Sequence, residues 1–145
     1  MTDTVSKTRV ARCCCGSLEV EAKGDPIQVA ICSCEQCQRR TGSAFGISTY
    51  WMRSEVTIRG ATKMFVREGQ EGRELSFYFC PNCGSTVYWE NPERRPGGIG
   101  IAGGTFADPD FPPPKYSVWE RTKHTWISIP AEEHFPQNPP PPPQR

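Results

Sequence analysis

FYFCPNCGSTVYWE, residues 77–90, sets a cysteine knuckle between two runs rich in aromatic and β-branched residues. Residues 75–79 lead into Cys80 and residues 85–90 lead away from the knuckle, each with the length and composition of a short strand. Cys80 and Cys83 have the spacing of two ligands on one metal ion, and Gly84 directly after them permits a tight turn that aims backbone N–H groups at sulfur. Thiolates in such a pair favour zinc, a borderline-soft ion that accepts tetrahedral sulfur ligation. Two thiolates fill half a tetrahedron, so this knuckle requires a second pair.

CCCG, residues 13–16, offers one. Cys13 and Cys15 are two apart, which in an extended segment puts both side chains on one face and Cys14 on the other. Gly16 follows Cys15 as Gly84 follows Cys83. A site built from Cys13, Cys15, Cys80 and Cys83 would tie distant parts of a sheet together and contribute directly to folding. The other cysteines, Cys32, Cys34 and Cys37, crowd into AICSCEQCQRR, residues 30–40. Three thiolates without an evident fourth protein ligand describe an open zinc, whose last position is left for water or substrate. Spacing alone leaves other groupings open. Cys14 or His134 could close the trio, Cys80 or Cys83 could pair with it, or the thiols could be free or disulfide-bonded in an exported protein.

The rest of the chain narrows the class. Its 145 residues suit one domain, eight of them cysteine, with a formal net charge of +1 at pH 7. That balance argues against nucleic acid and membrane surfaces as partners, although Arg39 and Arg40 put positive charge beside the trio. No apolar run reaches the length of a membrane span, and MTDTVSKTRVAR at the start lacks the apolar middle of a signal peptide, so a cytoplasmic location is expected. In that compartment CxC and CxxC spacings speak for metal over disulfide.

Alternation with period two predicts strands around Leu18 and Val20 and over 27–31, 44–52, 55–60, 62–68, 97–106 and 124–129, besides the two flanking the knuckle. Residues 34–41 are expected to form one short helical piece that Gly42 stops. FADPDFPPPKY, residues 106–116, reads as an extended loop, because its prolines fix φ and remove donors. No segment carries a three-turn helical pattern, so the expectation is a mainly β domain of short antiparallel strands with little helix. It spans 9–135, followed by a polyproline-like, disordered tail at 136–145.

Four segments in this order and at these intervals, CCCGSLEVEAKG (13–24), ICSCEQCQRRTGSAFG (31–46), FYFCPNCGSTVYW (77–89) and VWERTKHTWISIP (118–130), resemble the glutathione-dependent formaldehyde-activating enzyme (GFA, or CENP-V) family. The resemblance runs from about Val10 to Phe135. It implies a small zinc-binding β-tent, with a structural zinc on Cys13, Cys15, Cys80 and Cys83 and a catalytic zinc on Cys32, Cys34 and Cys37. It also implies that the trio forms a disulfide where a member lacks the second zinc. The activity it implies is addition of glutathione to formaldehyde, giving S-(hydroxymethyl)glutathione, classed as a carbon–sulfur lyase from the reverse direction. The sequence departs from the family pattern at Cys14 and Ser33, both positions where His is common, and at the KHT before Trp126.

The expected partners are therefore a small thiol and a small carbonyl. The thiol would take the open position beside the trio, and Arg39 and Arg40 are candidates for its carboxylates. Residues 41–46 could supply backbone amides near the pocket. Phe45, Tyr50 and Trp51 could line it or pack the core, and His124 could relay a proton. Trp119 and Trp126 read as core or dimer surface, and with the sheet edges they leave a homodimer open. The alternative is a non-catalytic, zinc-stabilised binding or scaffold module whose proline tail docks in a partner's aromatic groove.

Overall fold

The computed structural model describes residues 7–69 and 72–139. Two open sheets carry the chain. The smaller is antiparallel, β1 (Thr8–Arg12), β2 (Glu19–Lys23) and β5 (Val56–Arg59), in the order β1-β2-β5. The larger holds β3 (Gln28–Cys32), β4 (Gly46–Met52), β6 (Lys63–Glu68), β7 (Glu74–Phe79), β8 (Thr86–Glu90), β9 (Gly98–Ala102), β10 (Tyr116–Val118) and β11 (Glu133–His134), in the order β11-β10-β3-β4-β9-β8-β7-β6. Among the described residues α1 (Glu35–Thr41) is the one α-helix; Gly42 ends it at φ 62°, donating its N–H to Gln38 O.

Strand alternation divides the larger sheet into two faces with different uses. Trp51 of β4 and Ile99 and Ile101 of β9 face the smaller sheet and meet Ala11, Val20, Ala22 and Val56 there. Trp51 is fully buried, and its indole N–H donates to Thr49 Oγ1, whose hydroxyl donates to Ile101 O. Every polar atom of this core pair is thereby satisfied. The other face carries Gln28, Ala30 and Cys32 of β3, Ser48 and Tyr50 of β4, and Trp89 of β8, and these line a cavity.

Gly100 decides the shape of that second face. In register it lies between Tyr50 and Trp89. A Cβ there would stand 2.1 Å from Trp89 Nε1, so only glycine lets the indole lie flat across β9.

The stretch 124–129 differs from the expected strand: it turns, with Ile127 N–H donating to His124 O and Trp126 77% exposed. Alternation reports which side chains suit a half-buried face, not whether a partner strand is free. Here the place beside β3 is taken by β10, and β11 lies beyond it. Both β10 pairings are parallel, with Lys115 N–H donating to Val29 O and Ser33 N–H to Val118 O. A three-residue strand emerging from Pro112–Pro114 leaves no periodic signal to read. The first residues of the expected tail are also engaged: Trp119, Glu120 and Arg121 donate backbone N–H groups to Gln137 O, Phe135 O and Pro136 O. Residues 140–145, with most of the proline run, lie outside the described residues.

Candidate functional site

The structure brings seven cysteines into two groups. Cys13, Cys15, Cys80 and Cys83 have their sulfurs within 4.8 Å of one another, and so do Cys32, Cys34 and Cys37. Cys14 and His134 belong to neither group. His134 Nδ1 is 2.7 Å from Glu120 Oε2, and exposed Cys14 donates its backbone N–H to Ser85 Oγ at 3.2 Å.

In the first group Cys13 and Cys15 meet through a turn rather than through the extended segment expected. Gly16 N–H donates to Cys13 O and Gly84 N–H to Cys80 O, with φ of 81° and 80° at the two glycines. Cys13 N–H donates to Leu18 O and Cys80 N–H to Ser85 O, so the two knuckles are near copies in backbone. Backbone N–H groups point at sulfur, among them Leu18 at Cys13 (3.2 Å), and Asn82 and Cys83 at Cys80 (3.4 and 3.5 Å). Cys15 Sγ lies 3.6 Å from both Cys13 Sγ and Cys80 Sγ. A zinc tetrahedron with bonds of about 2.3 Å has edges of about 3.8 Å, so the sulfurs already stand close to ligand spacing. The Ser17 hydroxyl beside Cys15 lowers that thiol to about 7, and Ser85, through its hydroxyl and N–H, lowers Cys83 to about 5. Burial raises Cys13. This donor set fits a closed four-thiolate zinc.

The second group is built by the end of β3 and the start of α1. Ser33 is fully buried, and its carbonyl accepts from Gln38 Nε2 and Thr122 Oγ1, both at 2.9 Å. These bonds fix the bend that turns Cys32 and Cys34 toward one point. Cys34 caps α1, its sulfur accepting from Cys37 N–H at 3.4 Å, and Cys37 follows within the first turn. Hydrogen bonds from the thiols of Cys32 and Cys37 hold Cys34 far below the ordinary thiol range, and donation to its neighbours pushes Cys32 up. Three sulfurs converging on one point are a donor set that suits a soft cation.

All three cysteines line a cavity of about 140 Å³. Arg40, Arg67, Arg73, Arg94 and Arg95 line it as well, and no described carboxylate does. Arg40 comes from the last turn of α1 and lies 4.9 Å over Trp89 and 5.9 Å over Phe77. Gly46 makes room for it, since a Cβ there would be 2.6 Å from Arg40 Nη2. Arg67 covers Phe77 at 4.9 Å, and Arg95 covers Tyr50 at 4.3 Å while donating to Gln28 Oε1. Burial raises the Tyr50 hydroxyl, partly offset by a hydrogen bond from Trp89, so the phenol keeps its proton at neutral pH.

Of the two arginines beside the trio, Arg40 enters the cavity, whereas Arg39 is exposed and borders a shallow depression with Gln36, Phe65 and Thr86. Tyr50 lines the cavity; Trp51, its neighbour on β4, faces the opposite core, and Phe45, His124 and Trp126 are not in the lining. Trp119, expected in the core or at a dimer surface, is a cavity residue. It adopts φ 58° and donates its indole N–H to Asn138 Oδ1. Arg67, Arg94, Arg95, Trp89 and Asn91 also line the cavity and carried no local signal, because strand order alone brings them to the trio.

A family profile described as glutathione-dependent formaldehyde-activating enzyme matches residues 8–122. The chain belongs to this family. The matched span of the GFA chain contains every residue of both cysteine groups. Among solved structures, the GFA chain is similar to a Rhodobacter sphaeroides protein at 21% identity and a TM-score of 0.50, over 66% of this chain and 85% of that one. That likeness supports the fold. No curated protein matches the chain. No helix among the described residues is long and apolar enough to cross a membrane.

Proposed function

We propose that this protein is a zinc-dependent carbon–sulfur lyase of the S-(hydroxymethyl)glutathione synthase kind, joining a low-molecular-weight thiol such as glutathione to formaldehyde or a related small carbonyl. The observation that carries this reading is the three-thiol cluster opening onto a cavity lined by five arginines and no described carboxylate. Cys32, Cys34 and Cys37 would hold the zinc, while Cys13, Cys15, Cys80 and Cys83 hold a second, structural one. When bound at the trio, zinc lowers the acidity barrier of a thiol and keeps it nucleophilic.

The chain's own residues supply binding, charge and exclusion of water. Arg40 offsets the charge of three thiolates and is placed for a cosubstrate carboxylate, while Arg39 borders the neighbouring depression and would be at most an outer contact. Phe77, Trp89 and Trp119 give the cavity apolar walls, which strengthen the ionic contacts inside. In the addition, a carbon–sulfur bond forms as the carbonyl π bond opens onto oxygen, and the thiol proton ends on that oxygen. No redox partner is consumed. A cytoplasm stocked with reduced thiols is the compartment this chemistry needs.

The test is hemithioacetal formation from formaldehyde and glutathione by zinc-loaded protein, measured above the spontaneous rate. A rate that Cys34→Ser abolishes supports the reading. No acceleration with glutathione or other thiol–carbonyl pairs removes it.

A further inference from the structure

The larger sheet has two edges, and they are finished differently. β11 closes one with two exposed residues, Glu133 and His134. β6 closes the other with six, KMFVRE, all of them paired to β7. Its outward N–H and C=O groups have no strand partner among the described residues. Met64, Phe65 and Val66 are 56%, 59% and 42% exposed, three consecutive apolar side chains on an open edge. Such an edge is a template for one more strand, and sheet proteins ordinarily shorten, cover or charge it.

The two faces of β6 are distinct. Phe65 pairs with Phe77, and Arg67 covers Phe77, so both lie on the cavity face. Met64 pairs with Tyr78, which stacks on Tyr88 and packs against the core between the sheets, and Val66 shares that face. A second copy can add its own β6 antiparallel through a two-fold axis perpendicular to the sheet, which keeps each face continuous. Opposed residues then belong to the same face, so odd positions meet odd ones and even positions even ones.

Two such registers oppose five residues within β6. The one centred on Phe65 sets Lys63 against Arg67 of the second copy, cation against cation. The one centred on Val66 sets Val66 against Val66, Phe65 against Arg67 and Met64 against Glu68, with no like charges opposed. By symmetry its cation–aromatic pair forms twice. We propose that β6 is the interface of a homodimer, two copies joining their larger sheets antiparallel about Val66. Both cavities then open on one face of the joined sheet, and Phe65 of each copy stands beside a cavity-lining residue, Arg67, of the other. The contact closes on itself and leaves no β6 edge for further strands. It does not depend on the proposed function.

Sedimentation equilibrium of the zinc-loaded full chain, from low micromolar to about 1 mM, tests the interface. A monomer–dimer equilibrium is expected. Val66→Lys puts two cations at the axis and should raise the dissociation constant about tenfold. Opposite charges at one position read the register. Phe65→Lys faces Arg67 with a cation and should also weaken the dimer about tenfold, whereas Phe65→Glu faces it with an anion and should stay within about threefold of the wild type. Trp126→Ala, on the exposed turn at 124–129, should change nothing. A monomer at every concentration overturns the interface, and that result needs no variant to fold. A dimer that Trp126→Ala dissolves, or that a folded Val66→Lys protein retains unweakened, overturns it as well. Equal weakening by Phe65→Glu and Phe65→Lys overturns the register centred on Val66. Sedimentation reads no formaldehyde chemistry, so a failed lyase assay leaves the dimer standing and a monomeric enzyme leaves the lyase standing.

Discussion

The two cysteine groups use the same ligand and differ in almost everything around it. The four-thiol group joins positions 65 residues apart, Cys15 and Cys80, whereas the three-thiol group spans Cys32 to Cys37. Closing a long loop removes more freedom from the unfolded chain than closing a short one, so the first group is placed to stabilise the fold. The second is secured independently of any ion, by Ser33, Gln38 and Thr122. Their surroundings differ to match. Serine hydroxyls and backbone N–H groups surround the first group, while arginines and aromatic rings share a cavity with the second. One ligand chemistry thus gathers two distant turns in one place and, on the proposed function, would leave a coordination position open in another.

The sharpest way to break this contrast is to remove one ligand from each group. Cys80→Ser should abolish cooperative folding, since structural zinc sites in small domains supply on the order of 10 kcal/mol. Cys34→Ser should retain a cooperative melt and lose one of two zinc ions. Thermal unfolding followed by circular dichroism, with zinc counted by atomic absorption, reads both. Equal melting losses in the two variants would contradict the division of roles.

A smaller effect tests the packing that separates the sheet's two faces. Trp51→Ala should cost about 3–5 kcal/mol in chemical denaturation, because a fully buried indole and its bond to Thr49 are lost together. Zinc content at the trio should stay unchanged, since Trp51 faces away from the cavity.

Smaller again is the contrast between adjacent arginines. Arg40→Ala should raise the KM for the thiol about tenfold, the value of a charge-assisted hydrogen bond, whereas Arg39→Ala should shift it about twofold at most. Steady-state kinetics at fixed formaldehyde measures the two. A larger effect at Arg39 would mean that substrate enters from the side of Phe65 and Thr86.

The weakest expected effect lies at the sheet edge, in Glu120 and His134. The bond from Glu120 raises His134, and bonds from His134 and the Ser117 hydroxyl outweigh burial to lower Glu120. A raised histidine contributes fully below its unfolded value of about 6.5 and loses that contribution as pH rises through its folded value. A lowered carboxylate contributes above its unfolded value of about 4.3 and loses that as pH falls. The pair therefore helps most between about pH 4.3 and 6.5. His134→Gln should lower stability in chemical denaturation within that window and change little at pH 8.

Much of this contrast was legible in the sequence, for a physical reason. Metal knuckles are local, so Cys-x-Cys and Cys-x-x-Cys spacings mark candidate ligands without a fold, whereas their grouping and the turn between Cys13 and Cys15 needed the structure. Strands such as 46–52 and 86–90 announce themselves by alternation and β-branched or aromatic content. The cavity wall was different. Arg67, Trp89, Asn91 and Arg95 come to share a cavity with Cys32 through the strand order β3-β4-β9-β8-β7-β6, which depends on long-range pairing. Gly100 was visible as a glycine in an apolar run, but its purpose appears only when Trp89 is laid across it. Trp119 misled because an aromatic next to a short parallel strand looks the same in sequence whether it packs a core or walls a cavity.

On the proposed function, one sulfur-ligated ion is sealed and the other has a position open to a thiol. Cadmium-113 NMR of protein loaded with two cadmium ions addresses it directly. Two resonances are expected in the thiolate range, one unmoved by added glutathione and one shifted, with the shifting signal lost in Cys34→Ser. A single resonance, or two that both ignore the thiol, would contradict it.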